Sequence, residues 1–168
     1  MEKEQHPSDS SFQLNLEKSM VEAVLRDHPS WQIVVWQNIS AELGLGSIWQ
    51  NARPDGAWQD EDGCYVIAEC YAHVGKLKPG HRRKIAMDVL KMLSLRNAVI
   101  SPKSLCCLLI VPEDVNNQLQ AEDWFSIAIH QAVEVVSIQL TPEEQQKLQE
   151  TVAHQSLGQA RTSHNGAK

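Results

Sequence analysis

The fold is decided by residues 53–72, which read RPDGAWQDEDGCYVIAECYA. Asp62-Gly63 lies between two apolar arms, and Asp-Gly is a strong turn signal because both residues tolerate positive φ. The stretch therefore predicts a β-hairpin with arms over residues 55–59 and 64–72, and it predicts that the acidic residues at the tip belong to the turn.

The second arm carries one carboxylate among apolar residues. Side chains alternate along a strand, so Glu69 shares a face with Ile67 and Tyr71. A buried carboxylate is costly unless it is paired or bound to a metal. If the two arms pair as this turn predicts, Asp55 comes near Glu69 at the open end of the hairpin. These two acids, with the backbone carbonyl of Cys70, predict a hard oxygen site suited to Mg²⁺ or Mn²⁺.

The flanking sequence alternates helical and strand patterns. Apolar residues recur at helical spacing from a capping box at Ser10 and Gln13 until His28-Pro29. Residues 31–36 are β-branched and aromatic, which favours a strand, and residues 41–52 are predicted to be a loop. Further helices are predicted over 81–96 and 116–131 and from Thr141 onward, with strands over 105–111 and 133–140. This order predicts an α/β sandwich around one central mixed β-sheet flanked by helices.

Length and composition bound the class of protein. The chain has 168 residues, of which 42% are hydrophobic and 21% charged, which suits one globular domain. We expect disordered ends over 1–10 and 155–168 and a single domain over 11–154. The longest apolar run, residues 105–111, is far shorter than the ~20 residues of a membrane helix. The charged first residues are not typical of a secretory signal, so we expect no membrane partner and a cytoplasmic location.

The charge is unevenly distributed. Between His73 and Arg96 seven basic residues stand against Asp88 alone, a local charge of +6, whereas the rest of the chain carries −12. A basic stripe on an acidic body can attract a polyanion to one place. A solvated helix face explains the same pattern without any ligand.

The four cysteines show no zinc spacing and no C-x-x-C pair. We therefore expect neither a disulfide framework nor structural zinc, and we expect the cysteines to act as small buried hydrophobic residues.

The hairpin acids and the basic helix together resemble the restriction-endonuclease-like, PD-(D/E)XK nuclease superfamily. Pro54-Asp55 is similar to the family's Pro-Asp, and Glu69-Cys70-Tyr71 stands where the family has acid-x-lysine. Residues 69–91 also resemble a block in uncharacterised bacterial proteins of this fold. The resemblance implies a restriction-endonuclease-like three-layer sandwich that hydrolyses phosphodiesters with Mg²⁺ or Mn²⁺ held by Asp55 and Glu69.

The sequence departs from the family pattern at Tyr71, which replaces the lysine. Tyrosine has a hydroxyl but no cation at neutral pH. Some family members take the lysine from a neighbouring element, and the candidates are Lys84, then Lys76 and Lys78. The alternative is that Lys84 simply pairs with Asp88 at i, i+4.

Other side chains have weaker patterns. Glu22, or else Glu17, stands where many family members place an extra metal ligand on the first helix, although a solvated glutamate gives the same pattern. His73 and His81 flank the basic loop and could act as a base or contact phosphate, although structural roles explain them equally well. The residues predicted to contact nucleic acid are Lys76, Lys78, Arg82, Arg83 and Lys84.

Two functions follow from these patterns. The first is a divalent-metal-dependent nuclease acting on nucleic acid, DNA in preference to RNA, with Asp55, Glu69, Lys84 and Lys76 as catalytic residues. Small nucleases that cut both strands often pair, which makes a homodimer compatible with this function. The alternative is a catalytically inactive member that binds nucleic acid or a protein, which the missing lysine favours.

Overall fold

The computed structural model describes residues 11–100 and 104–150. Within these ranges the helices are α1 (Ser11–Asp27), α2 (Trp36–Glu42), α3 (Ser47–Gln50), α4 (Pro79–Ala98), α5 (Glu113–Leu119) and α6 (Trp124–Ala132). Residues 142–150 are helical as well (α7). The strands are β1 (Gln32–Ile33), β2 (Gly56–Gln59), β3 (Tyr65–Cys70), β4 (Leu105–Pro112) and β5 (Glu134–Ile138). The predicted termini, including the capping residue Ser10, lie outside the described residues.

The strands form one mixed sheet in the order β1-β2-β3-β4-β5. The first three strands are antiparallel neighbours, and β3, β4 and β5 run parallel. Helix α4 makes the crossover from β3 to β4, as a parallel connection requires. The chain is thus an α/β protein with a central mixed sheet, as the sequence predicted.

Two apolar layers cover the sheet. On one face, Leu16, Met20 and Val24 of α1 pack with Leu148 of α7 against the even-numbered residues of β3. On the other face, α2, α4, α5 and α6 pack against the odd-numbered residues, among them Ile67. Every residue of β3 is buried because helices cover both faces, so the architecture is a three-layer sandwich.

The predicted hairpin is confirmed. Gly56 pairs with Ala68 and Gln59 with Tyr65. At the tip, Gly63 has φ +79° and the Asp60 carboxylate accepts hydrogen bonds from the backbone N–H groups of Asp62 and Cys64, at 3.1 and 2.7 Å. The tip acids lie in the turn, and the Asp60 side chain caps its backbone.

Three local predictions were wrong. The strand over 31–36 shrinks to Gln32–Ile33, because Trp36 begins α2 and its indole N–H donates to the Trp49 carbonyl at 3.2 Å. The predicted loop over 41–52 contains the end of α2 and all of α3, anchored by the buried Leu43 and Leu45.

The single helix predicted over 116–131 is two helices, α5 and α6. The Asp123 carboxylate accepts a hydrogen bond from the Ser126 N–H at 2.8 Å and so caps a new helix after a break at residues 120–123. No helix within 11–100 and 104–150 combines the length and the apolar character that a membrane crossing requires.

Candidate metal and phosphate site

Asp55 is fixed to the strand that carries Glu69. It lies directly before β2, and its N–H donates to the Ala68 carbonyl at 2.9 Å. One of its carboxylate oxygens, Oδ2, accepts from the Cys70 N–H at 2.8 Å. The Asp55 main chain and side chain therefore hold β3 on both sides of Glu69. In a strand, the N–H and C=O of one residue point to the same side, so the Cys70 carbonyl also faces Asp55.

Glu69 is buried, with 5% of its surface exposed, and points toward α4. Nζ of Lys91 lies 2.6 Å from Glu69 Oε1, although Oε1 has no donor in hydrogen-bond geometry within the described part of the chain. Burial raises the pKa of Glu69 to about 7, Lys91 opposes that rise, and the charges of Asp55 and Asp88 add to it. Glu69 is thus a buried acid whose raised pKa is due mainly to burial, and whose strongest electrostatic partner is the cation of Lys91.

The acid of α1 that lies near Asp55 is Glu17, not Glu22. Burial, followed by the charge of Asp55, raises the pKa of Glu17. Glu22 is exposed and lines a separate cleft of about 220 Å³ between α1 and residues 138–144. The expectation that Glu22 is the acid of α1 nearest the hairpin acids is therefore wrong, because five positions along a helix rotate a side chain onto another flank.

Lys84 lies at the exposed border of the site. Its Nζ is 2.9 Å from Asp88 Oδ2 and 5.9 Å from the centre of the Tyr71 ring. Burial opposes protonation, but the hydrogen bond and charge of Asp88, with Glu17 and Asp55 beyond, raise the pKa of Lys84. Lys84 is a permanent cation beside Tyr71, and it also makes the Asp88 pair that the alternative interpretation predicted.

Tyr71 supplies no charge in place of the missing lysine. Burial, and then the charge of Asp88, raise the pKa of its hydroxyl well above the usual value, so Tyr71 is neutral at physiological pH. Its chemistry at the site is limited to hydrogen bonding and to the face that its ring presents to Lys84.

His73 and His81 form a pair next to Tyr71, with ring centres 3.9 Å apart. Burial, and then the charge of His81, lower the pKa of His73, while a hydrogen bond to the Lys76 backbone opposes this. His73 Nε2 is buried and has no partner among the described residues. His81 Nδ1 accepts from the Lys78 N–H at 3.3 Å and caps α4. The pair therefore combines a capping role for His81 with a buried His73 imidazole whose lowered pKa favours its neutral form.

The basic residues do not form one uniform surface. Lys76, Lys78 and Arg83 are exposed, and no ion pair holds them within the described residues. Arg82 instead lies 2.7 Å from Asp123 and 5.2 Å from the centre of the Phe125 ring. Arg82 therefore links α4 to α6, and the Asp123 cap and the Arg82 pair lower the pKa of Asp123 to about 2.

The oxygen donors suit magnesium better than a softer metal. No group of three His, Cys, Asp or Glu side chains that could hold a metal ion occurs within 11–100 and 104–150. Mg²⁺ keeps several waters and takes one or two carboxylates, so Asp55, Glu69 and the Cys70 carbonyl match the type of donor that this ion prefers. Oε1 of Glu69 already faces Nζ of Lys91 at 2.6 Å, so an ion bound here would share this carboxylate with the lysine.

The sequence analysis did not identify Lys91 as a site residue. Its Nζ forms an ion pair with Glu69, whereas in the part of the chain that the structure describes Lys76, Lys78 and Lys84 form no ion pair with Asp55 or Glu69. The spacing could have identified it, because Lys84, Asp88 and Lys91 recur at i, i+4 and i+7 and so share one helix face. The sequence alone could not tell which of the two lysines faces the strand.

Comparisons with known proteins give one structural likeness. The crystal structure of an XisH family protein from Nostoc punctiforme PCC 73102 is similar to this chain, with a TM-score of 0.52 and 15% identity. The alignment covers 77% of this chain and 94% of that chain. No family model matches the sequence, and no curated protein matches it. At this identity the likeness shows the fold alone: an α/β sandwich of the XisH type.

Proposed function

We propose that the protein is a divalent-metal-dependent nuclease of the restriction-endonuclease-like superfamily that hydrolyses phosphodiester bonds in DNA. The observation that supports this function most directly is the joining of Asp55 to the backbone on either side of Glu69. This arrangement places two acids at one end of a hairpin, beside a helix that presents Lys84 and Lys91.

Asp55, Glu69 and the Cys70 carbonyl would hold the ion. A bound Mg²⁺ supplies Lewis acidity and a water of lowered pKa. The lysine and arginine side chains of the site would supply the positive charge that contacts the phosphate and keeps Glu69 ionised. Lys84 is exposed enough to reach a phosphate, and Lys91 keeps part of the Glu69 population ionised. Lys76, Lys78 and Arg83 are placed to contact the nucleic acid backbone, whereas Arg82 is occupied by Asp123.

Cleavage of plasmid DNA in the presence and absence of Mg²⁺ tests the proposal. We expect Asp55→Asn and Glu69→Gln to reduce magnesium-dependent cleavage by about 100-fold or more, since each removes a ligand of the ion. Glu22→Gln is the matched control, because it removes a carboxylate on the other flank of α1 and should cleave like the parent protein. Parent-level cleavage by both Asp55→Asn and Glu69→Gln contradicts the proposal.

A specific observation favours the second candidate, an inactive member that binds nucleic acid or a protein. Tyr71 is neutral, and both lysines that border the site already have carboxylate partners. Titration calorimetry with Mg²⁺ separates the two candidates. Heat that disappears in Asp55→Asn and Glu69→Gln supports the metal site, whereas salt-sensitive DNA binding with no such heat supports the binding module.

A further inference from the structure

Two cysteines that the sequence does not pair lie against each other at one end of the sheet. Cys64 directly precedes β3, and Cys106 is the second residue of β4. Their Sγ atoms are 3.3 Å apart. The sulfur of Cys64 also lies 3.4 Å from the carbonyls of Tyr65 and Ser104.

The parallel register explains this proximity. Val66 pairs with Cys106, so Cys64, two residues earlier, is the diagonal neighbour of Cys106 on the same face. That face carries Val66 and Leu108 under α1. Cys64 and Cys106 lie nearer the end of the sheet, where Cys106 is exposed and Cys64 partly so. The expectation that all four cysteines are buried is therefore wrong for this pair.

We propose that Cys64 and Cys106 form a redox-active dithiol that a small disulfide oxidant, of the glutathione disulfide class, converts to an intramolecular disulfide. One protein thiolate attacks the oxidant, forms a mixed disulfide and releases one glutathione thiolate. The second protein thiol, on losing its proton, attacks the first protein sulfur and releases the other glutathione. Two protein thiols and one glutathione disulfide thus become one protein disulfide and two molecules of glutathione.

Access distinguishes this pair from the other two cysteines. Cys106 is exposed and borders an open cleft of about 550 Å³ that is also lined by Arg96, His130, Glu134 and the mostly buried Cys107. Of the charged side chains that line the cleft, Arg96 attracts an anionic oxidant such as glutathione disulfide and Glu134 repels it, so the inference rests on access and not on charge. Cys70 and Cys107 are 2% and 4% exposed and lie on opposite faces of the sheet, in separate apolar layers. They are the internal controls.

The ionisation of the pair predicts the pH dependence of the reaction. Partial burial of its sulfur, and then the hydrogen bond and charge of Cys64, raise the pKa of Cys106 to about 12, and Asp60 and Cys107 act in the same direction. Only the thiolate is nucleophilic, so the rate of disulfide closure should rise by up to about tenfold per pH unit from pH 7 to 8.

The dithiol lies at the opposite end of β3 from the acids. Cys64 precedes Tyr65 at the start of the strand, whereas Glu69 is near its end. Five residues of strand separate them by roughly 16 Å. The inference is therefore independent of the proposed nuclease activity, and each can fail without the other.

The test is incubation of the full chain with glutathione disulfide, followed by thiol counting and peptide mapping. Trypsin leaves Cys64 with Cys70 in residues 27–76, and Cys106 with Cys107 in residues 104–147. We expect the parent to lose two thiols and the mass of two hydrogens, with these peptides joined. Cys64→Ser and Cys106→Ser should each stop at a mixed disulfide, whereas Cys70→Ala should cyclise like the parent.

Retention of four thiols by the parent overturns the proposal, as does a disulfide of the same yield in Cys64→Ser. The thiol count of the parent protein does not depend on any variant, so it can refute the proposal even if a variant fails to fold. Far-ultraviolet circular dichroism of each variant identifies such a failure.

Discussion

Nζ of Lys91 lies 2.6 Å from Oε1 of Glu69, while Lys84, two turns earlier on the same helix, is paired with Asp88. The two lysines therefore differ in what they neutralise. Lys91 faces a buried strand acid whose pKa is about 7, whereas Lys84 is 54% exposed and stands at the border of the site. Lys91 is thus suited to position and ionise Glu69, and Lys84 to contact a phosphate.

Lys91→Met tests the positioning role. Because Lys91 lowers the pKa of Glu69, its removal should raise that pKa above 7. A folded carboxyl with a raised pKa loses stability as pH rises from the unfolded value of 4.5 through the folded value. The free energy of unfolding of the variant should equal that of the parent near pH 4.5 and lie about 1–3 kcal/mol below it at pH 8. This loss is smaller than for a fully buried ion pair, because Lys91 is partly exposed.

Urea unfolding at a series of pH values measures this difference. Lys18→Met, an exposed lysine of α1, is the control and should show no such pH dependence. A constant offset at every pH would mean that Lys91 contributes packing and not charge.

Lys84→Ala tests the phosphate contact. If Lys84 stabilises charge in the transition state, its removal should lower kcat by about 100-fold with a smaller change in KM. Lys76→Ala and Lys18→Ala are compared in the same assay. A loss of kcat in Lys76→Ala alone would assign the phosphate contact to Lys76 instead of Lys84. An equal loss of kcat in all three variants would indicate a nonspecific effect of net charge.

The pKa of Glu69 predicts the pH dependence of magnesium binding. Protons compete with the ion for this carboxylate, and Glu69 holds its proton below about pH 7. The affinity for Mg²⁺ should fall by about tenfold per pH unit below 7 and level off above it. Calorimetry from pH 5.5 to 8.5 tests this, and an affinity that is flat across the range would exclude Glu69 as a ligand.

Gly56→Ala tests how the fold positions Asp55. A Cβ at Gly56 would lie 2.4 Å from the ring of Trp58, a rigid side chain that is 1% exposed. The strain should destabilise the protein by about 1–3 kcal/mol and shift the neighbouring Asp55, which lowers cleavage beyond the loss of stability. Gly80→Ala has open space around it in α4 and should be neutral or stabilising. Equal melting temperatures for the two variants would contradict the close contact.

The sequence determined those features of the fold that depend on residues close together in the chain. Asp62-Gly63 fixed the hairpin turn, and period-two alternation placed Glu69 and Ile67 on one face, because strand geometry depends only on neighbouring residues. The long apolar run over 105–111 specified a strand buried on both faces. These features were enough for the three-layer α/β fold and for the proximity of Asp55 to the strand of Glu69.

Only the tertiary structure decided which polar groups meet. Trp36 reads as strand, but its contact with Trp49 draws it into a helix, because burial outweighs a propensity of under 1 kcal/mol. The exact rotation of α1 and α4 against the sheet selected Glu17 over Glu22 and set Lys91 beside Glu69. The contact of Cys64 with Cys106 depends on the register of two strands that α4 separates in the chain. Such pairings are set by the packing of whole elements, which no short stretch of sequence encodes.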